Sequence, residues 1–304
     1  MSLISIITVD YNQPETTLAL IKSINLFYSD ANIEIIVVDN GSKINNGARF
    51  LQQNKDIKFI RSEVNLGFAG GNNLGIQAAC GAYMFLVNND TEFTPGLLET
   101  LSASLQDDPT IGIISPKIMY YDAPDVIQYA GFTEMNYYTC RNRCVGQFET
   151  DKGQYDSVNA STGYIHGAAM MIRKDALLAA GPMPENFFLY FEEMDWCERI
   201  RKAGYKIWVN CGASIYHKES ISVGKNSSLK EFFMNRNRIL FIRRNARLQE
   251  RAFFYVYFML IVAPRNILRY VKEHNPAFIP VLLSAIKWNL VHSTTSNKLG
   301  YPVK

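Results

Sequence analysis

Five apolar runs of strand length, separated by helical patterns, fix what the first 115 residues can become. They read LISIITV (3–9), IEIIVVD (33–39), IKFI (57–60), AYMFLVN (82–88) and IGIIS (111–115). Runs this apolar belong to strands covered on both faces, which is the signature of parallel sheets. Helical patterns lie between them, from Pro14 to about Phe27, near 45–54, near 70–79, and from Pro95 to Gln106. Thr94 is placed to cap the last of these, with Pro95 at its first position. The alternation predicts an α/β fold with a Rossmann-like, doubly wound, mostly parallel sheet. Ligands of such sheets bind at the carboxyl ends of the strands. Polar clusters fall there: Asp10-Tyr11-Asn12, Asp39-Asn40-Gly41-Ser42 and Asn88-Asn89-Asp90.

The remainder is organised differently. Residues 116–160 are rich in Tyr, Asn and Asp and read as loops and short strands over the site. YIHGAAMMI (164–172) restores order, an acidic helix starts near Glu192, and two short strands, YKIWV and ASIYH, follow. From about Ser228 the chain reads as helical to Lys272, ahead of a weakly structured tail. The expected division is a catalytic domain over 1–227, its nucleotide part about 1–115 and its acceptor part about 116–227, and a helical extension over 228–304. A net charge of +3 gives no argument for nucleic acid, and five cysteines without a C-x-x-C pair fit a reduced, cytoplasmic protein. The N-terminus has no basic region before its apolar run, unlike a signal peptide. The longest apolar run, residues 252–264, is shorter than a bilayer span requires.

Each polar cluster admits a structural and a chemical reading. Asn88-Asn89-Asp90 is either a turn or a strand-end site at which Asp90 holds a metal ion. Asp39 either closes a turn or accepts the imide N–H of a pyrimidine base. NLGFAGGNNLG (65–75) has four glycines in eleven residues, and a helix N-terminus follows, which suits a phosphate. It matches neither G-x-G-x-x-G nor the P-loop. Glu192, Glu193 and Asp195 begin a helix, where acids complement the macrodipole. Aromatics flank them, and a carboxylate in apolar surroundings makes a useful base. His217 is either structural or a metal ligand. Six arginines between Arg236 and Arg251 form either a solvated face or, with the aromatic run after them, an interfacial helix on anionic lipid.

Taken in order, VDYN (9–12), VVDNGS (37–42), NLGFAGGNNLG (65–75), LVNNDT (86–91), GAAMMIRKDAL (167–177), FLYFEEMDWCERIRKAGYKI (188–207), His217 and FMNRN (233–237) resemble glycosyltransferase family 2, the inverting nucleotide-sugar transferases of GT-A fold. The subgroup resembled most is the rhamnosyltransferase-like one. The resemblance implies a sugar moved with inversion from a nucleoside diphosphate donor to a hydroxyl of a glycan or lipid-linked acceptor, in cell-surface polysaccharide synthesis, with rhamnosyl transfer the leading expectation. It implies Asp90 and His217 as ligands of Mn²⁺ or Mg²⁺, with Asn88 where many relatives carry an acid. Glu193 would be the general base, and Asp195, Trp196 and Glu192 would hold the acceptor. Val9, Tyr11, Asn12, Asp39, Asn65, Gly70, Asn72, Asn73 and Asn89 would form the nucleotide-sugar pocket. Peripheral contact with the inner face of the cytoplasmic membrane is the expectation for the extension.

Two rival classes stay in view. A sugar nucleotidyltransferase would share the fold, but it wants a Gly-rich, basic loop after the first strand, where this chain has DYNQPETT. A non-catalytic nucleotide-sugar or membrane binding module gives no reason for Glu193, Asp90 and His217. Neither Q-x-x-R-W nor a run of spanning length is present, which argues against a processive synthase.

Overall fold

The computed structural model describes residues 2–218 and 227–303. Its strands are β1 (Ile4–Asp10), β2 (Ile33–Asn40), β3 (Lys58–Ser62), β4 (Tyr83–Val87), β5 (Thr91–Glu92), β6 (Ile111–Tyr120), β7 (Ile127–Tyr129), β8 (Asn159–Ser161), β9 (Ala169–Arg173) and β10 (Lys206–His217). The sheet order is β3-β2-β1-β4-β9-β6-β10-β5, with β7 beside β6 and β8 beside β10. β3, β2, β1 and β4 run parallel, as do β6 and β10, and β9 lies antiparallel between the two sets. All six parallel strands therefore end at one edge, which gathers the tips of β1, β2 and β4 and the end of β10.

Helices α1 (Pro14–Tyr28), α2 (Gly47–Gln53) and α3 (Gly67–Ala78) alternate with the first strands, as the pattern predicts. α4 (Leu97–Asp107) starts later than expected. Gly96, in a left-handed conformation, precedes it, and the Thr94 hydroxyl donates instead to the Ser214 carbonyl of β10 at 2.6 Å. The tertiary bond outcompetes the local cap. The two short strands expected over 205–217 are one strand, β10, whose pairing with β6 skips Cys211, Gly212 and Ala213. The acidic segment forms α6 (Glu192–Lys202), preceded by α5 (Lys174–Ala180).

The C-terminal helices are α7 (Ser228–Asn245), α8 (Leu248–Tyr257), α9 (Ala263–Lys272) and α10 (Phe278–Val291). A π-helical turn, Phe258–Val262, joins α8 to α9. It ends two residues before Pro264, which lacks the N–H that an α-helix would direct to Leu260. The tail expected to be weakly structured holds α10. Beyond it, Leu299 O accepts from Arg236 Nη1 and Lys298 O from Trp288 Nε1. These helices share one buried cluster with α3, α6 and the sheet: Ile7, Val38, Trp196, Phe241, Phe258, Leu282 and Trp288 belong to it. The opposite sheet face packs Ile6, Val37 and Phe85 on α1 and α4.

Candidate active site

A cavity of about 440 Å³ opens where the parallel strands end. That size suits a small-molecule ligand. Val9 of β1 and Tyr11 just after it, Asn65 and Asn72 around the start of α3, and Asn89, Asp90 and His217 line it. These seven are residues the sequence singles out. Gln13, Asn40, Gly67, Phe68, Val87, Asn88, the segment Phe188-Leu189-Tyr190, Ser227, Leu229 and Val303 complete the wall.

Asp90 and His217 meet because β5 pairs antiparallel with the end of β10, setting His217 opposite Thr91. Asp90 Oδ1 is buried, accepts no hydrogen bond, and lies 3.2 Å from His217 Nε2. His217 Nδ1 is 2.8 Å from Gln128 Oε1, an acceptor, so Nδ1 carries the ring proton of the neutral imidazole. Its Nε2 lone pair then faces the carboxylate, with the Asn88 amide nitrogen donating to it at a long 3.5 Å. Two electron-pair donors in that position require a proton or a cation between them. Their separation is close to the roughly 3 Å that adjacent ligands of an octahedral ion with bonds of about 2.1 Å demand. Among the described residues no group of three or more His, Cys, Asp or Glu could hold an ion alone. A cation here needs donor oxygens as well, which is the habit of Mg²⁺.

Gln128 and His166 carry weight that the sequence does not announce. Gln128 is a buried polar residue within IQY of β7. The His166 ring stands edge-on to His217 at 6.0 Å and stacks on Phe132. Burial, with His217 adding to it, pushes the His166 pKa down to about 3, against the opposing pull of Asp90. Its only earlier signal is its place in YIHGAAMMI.

The glycine-rich turn is tied to β2. Asn40 donates to Gly67 O and to Asn65 Oδ1, and accepts from Leu66 N. Gly67 has φ +75°, and a Cβ there would stand 2.3 Å from the Phe188 carbonyl oxygen. Only glycine allows that approach, through which Phe68 N reaches Phe188 O at 2.8 Å.

That partner loop is strained. Phe188, Tyr190 and Phe191 have φ of +67°, +71° and +73°, and such conformations cost on the order of 1–3 kcal/mol each. The FMNRN segment holds it. The Asn237 amide nitrogen donates to the carbonyls of Phe187, Leu189 and Tyr190 at 2.9, 2.7 and 2.8 Å. Arg236 reaches Asn186 O and Phe187 O and is sandwiched by the Phe233 and Trp288 rings. Burial pushes its pKa down to about 9. Asn237→Ala is expected to destabilise the fold by about 3 kcal/mol, since buried carbonyls lose a donor at roughly 1–3 kcal/mol apiece. Turnover should fall further than the folded fraction does. Thermal melts run beside rates at a temperature where the variant is folded would show this, and a wild-type rate there would contradict it.

α6 follows directly. Glu193 packs with Phe68 against Gly167: a Cβ at 167 would lie 3.6 Å from the Phe68 ring and 4.0 Å from Glu193 Cγ. Phe68 lines the cavity and Glu193 does not. Burial pushes the Glu193 pKa up to about 7, against the N–H groups of Glu193 and Met194. Glu192 is buried, with Oε2 unpartnered. Burial first, then Glu193, raises its pKa well above the ordinary carboxylate range.

Other sequence candidates serve elsewhere. Asp195 is 1% exposed; its Oδ1 accepts from Arg244 Nε and Asn245 Nδ2, both at 2.8 Å. Trp196 is fully buried and donates to Gly181 O. Neither lines the cavity; both anchor α6. Asn73 spends its amide on Met183 and Glu185, and Gly70 packs on Leu66 inside α3. Asn12 bonds Ser42 and Lys43, which joins the turns after β1 and β2. Asp39 adjoins the lining residue Asn40, with its carboxylate engaged by Arg61 at 2.6 Å and Ser42 N at 2.8 Å. Asp10, buried at the tip of β1, accepts from Thr17 and Ser42, and Asn89 lies against the same hydroxyl of Thr17.

Known proteins resemble this chain over the same region. A family model described as "Glycosyl transferase family 2" matches residues 5–179, a stretch that includes Asp90 and stops short of Glu193. The low-salt glycan biosynthesis hexosyltransferase Agl10 of Haloferax volcanii is 27% identical over 243 residues, 78% of this chain and 74% of that protein. The N-acetylglucosaminyl-diphospho-decaprenol L-rhamnosyltransferase of Mycobacterium tuberculosis is 21% identical over 214 residues, 64% of this chain and 69% of that one. Among solved structures, TarS 1-349 of S. aureus superposes with a TM-score of 0.59 at 14% identity, covering 95% of this chain and 81% of that one. The mannosyltransferase PcManGT of Pyrobaculum calidifontis, solved with GDP-Man and Mn²⁺, gives 0.58 at 14%, covering 96% and 76%.

Proposed function

The chain belongs to glycosyl transferase family 2, and from that premise we propose that it transfers a hexosyl or deoxyhexosyl unit, rhamnosyl first among them, from a nucleoside diphosphate sugar to a hydroxyl of a glycan or lipid-linked saccharide, with inversion. The observation that carries this reading is the Asp90–His217 pair at the cavity edge, 3.2 Å apart, with the buried Asp90 Oδ1 accepting no hydrogen bond. The names of the Haloferax and Mycobacterium relatives support glycan and lipid-linked acceptors and a rhamnosyl donor.

In this reading Asp90 and His217 hold a divalent ion, Mn²⁺ or Mg²⁺, together with donor phosphate oxygens. When bound, that ion offsets the charge of the departing diphosphate. Val9, Tyr11, Asn65, Asn72 and Asn89 line the nucleotide-sugar cavity, and Asp39 with Arg61 borders its base end. Glu193 takes the proton of the acceptor hydroxyl. The freed oxygen forms a bond to the anomeric carbon as the bond from that carbon to the phosphate oxygen breaks, and the nucleoside diphosphate leaves with the electron pair. One displacement inverts the centre. Asp195, locked by Arg244 and Asn245, positions the helix that carries Glu193.

The test is a panel of UDP-, GDP- and dTDP-sugars scored for protection against thermal unfolding with Mn²⁺, since a ligand bound only by the native state raises the melting temperature. One nucleotide sugar is expected to protect, and to do so less in chelator. Protection by a nucleoside triphosphate with a sugar phosphate, and by no nucleotide sugar, would move the chain to the nucleotidyltransferases.

A further inference from the structure

We propose that the outer face of the C-terminal helix layer seats the protein on the headgroup–acyl boundary of an anionic bilayer, lying on the membrane without crossing it. The observations do not depend on the reaction. α8, the π-turn and α9 form one helical rod, Leu248–Lys272, of 25 residues, which by length and composition alone could cross a membrane. The run of residues 252–264 is short only when read apart from its helix. Contact, rather than length, decides the geometry. One face of the rod is packed in protein: Phe254, Phe258, Val262 and Tyr270 are at most 4% exposed. Polar bonds pin the same face to α7, from Asn266 to Asn235 and from Arg269 and Tyr270 to Glu231. A rod fixed in this way lies flat.

The other face is bare. Phe253, Val256 and Leu260, spaced three and four apart on one side of the rod, are 54%, 59% and 68% exposed, with Met259 and Ile261 beside them at 52% and 54%. Residues 252–264 contain no charge, a length of about 20 Å along a helix. Cations bracket it, Arg247 and Arg251 before and Arg265 and Lys272 after. Aliphatic surface between basic ends is the pattern of an interfacial helix.

Charge selects the occupant. Residues 228–304 hold thirteen Lys and Arg against three Glu, a net +10, while residues 1–227 carry −7 of the chain's +3. A second copy of the same face would bring like charges together, whereas anionic lipid attracts them. Tyr138, 44% exposed, meets Phe253 edge-on at 5.4 Å, so the face continues onto the loop region between β7 and β8.

The experiment is co-sedimentation of the full chain with vesicles of phosphatidylcholine alone and with about 30% phosphatidylserine. Binding to the anionic vesicles should exceed binding to neutral ones at least tenfold and weaken as salt rises. Leu260→Glu should abolish it, and Arg265→Glu should reduce it by about fivefold or more. Both side chains are exposed, so melting temperatures should match wild type. Equal binding to both vesicle types, or none, overturns the proposal. So does a dimer in sedimentation velocity that Leu260→Glu dissociates, or capture only by an acidic protein. Resistance to alkaline carbonate extraction would overturn the flat geometry.

Discussion

Glu193→Gln is expected to turn over about a hundred to ten thousand times more slowly than wild type, the usual cost of a lost general base, while donor protection against heat stays unchanged. The separation of effects follows from placement. Asn65, Asn72 and Asp90 line the cavity, and Glu193 lies outside that lining, beside Phe68 and Gly167. A base must be ionised to accept the hydroxyl proton. With its pKa pushed up to about 7 by burial, activity should be lost as pH falls through that value and should level off above it. Glutamine cannot titrate, so the residual rate of the variant should lose that limb. Glu192→Gln is the control. Burial favours the neutral acid form of Glu192, of which glutamine is a close isostere, so turnover near wild type is expected. If Glu192→Gln is slow and Glu193→Gln is not, the base is Glu192. If both turn over normally, the acids only cap α6. Rates over pH 5–9 for the three proteins, beside melting curves with donor, decide among these outcomes.

How far the sequence discloses this arrangement depends on the range of the contacts concerned. The run of residues 3–9 announces β1 because burial on both faces leaves a continuous apolar pattern, and the polar ends of β1, β2 and β4 announce the binding edge. Asp90 and Glu193 are legible as acids at the ends of elements. The pairing of His217 with Gln128 is not, since it joins positions 89 apart and a lone glutamine in a short strand has no periodicity to betray it. The same holds for Asn237, whose amide serves carbonyls about 50 residues earlier. Trp196 and Asp195 look like acceptor contacts in a linear motif. In the fold, a helix turns one face towards the site and the other into the core, and their face is the inner one. β10 looks like two strands because Asn210, Cys211 and Gly212, at its bulge, interrupt its pattern. Length misleads at the C-terminus as well, where the apolar run ends at Pro264 and the helix does not.

Asp90→Asn, or removal of divalent ions with EDTA, is expected to abolish transfer to at least a thousandfold, and Mn²⁺ or Mg²⁺ should restore the wild type but not the variant. Stabilising charge on a departing diphosphate is worth several kcal/mol, and each 1.36 kcal/mol is a factor of ten in rate. The fold should tolerate the change. Asp90 Oδ1 accepts no hydrogen bond, and the backbone bond from Lys218 N to Asp90 O does not involve the side chain. Asparagine keeps the volume, removes the charge, and gives His217 Nε2 a donor, so the variant should melt no lower than wild type without metal. Mn²⁺ should then raise the melting temperature of the wild type with donor and leave Asp90→Asn where it was. Gln128→Leu should weaken metal dependence in the same direction by about ten- to a hundredfold, the usual cost of losing the partner that orients a ligating histidine. A proton between Asp90 and His217 in place of a metal ion gives a different result. Full activity would persist in chelator with no metal carried through purification.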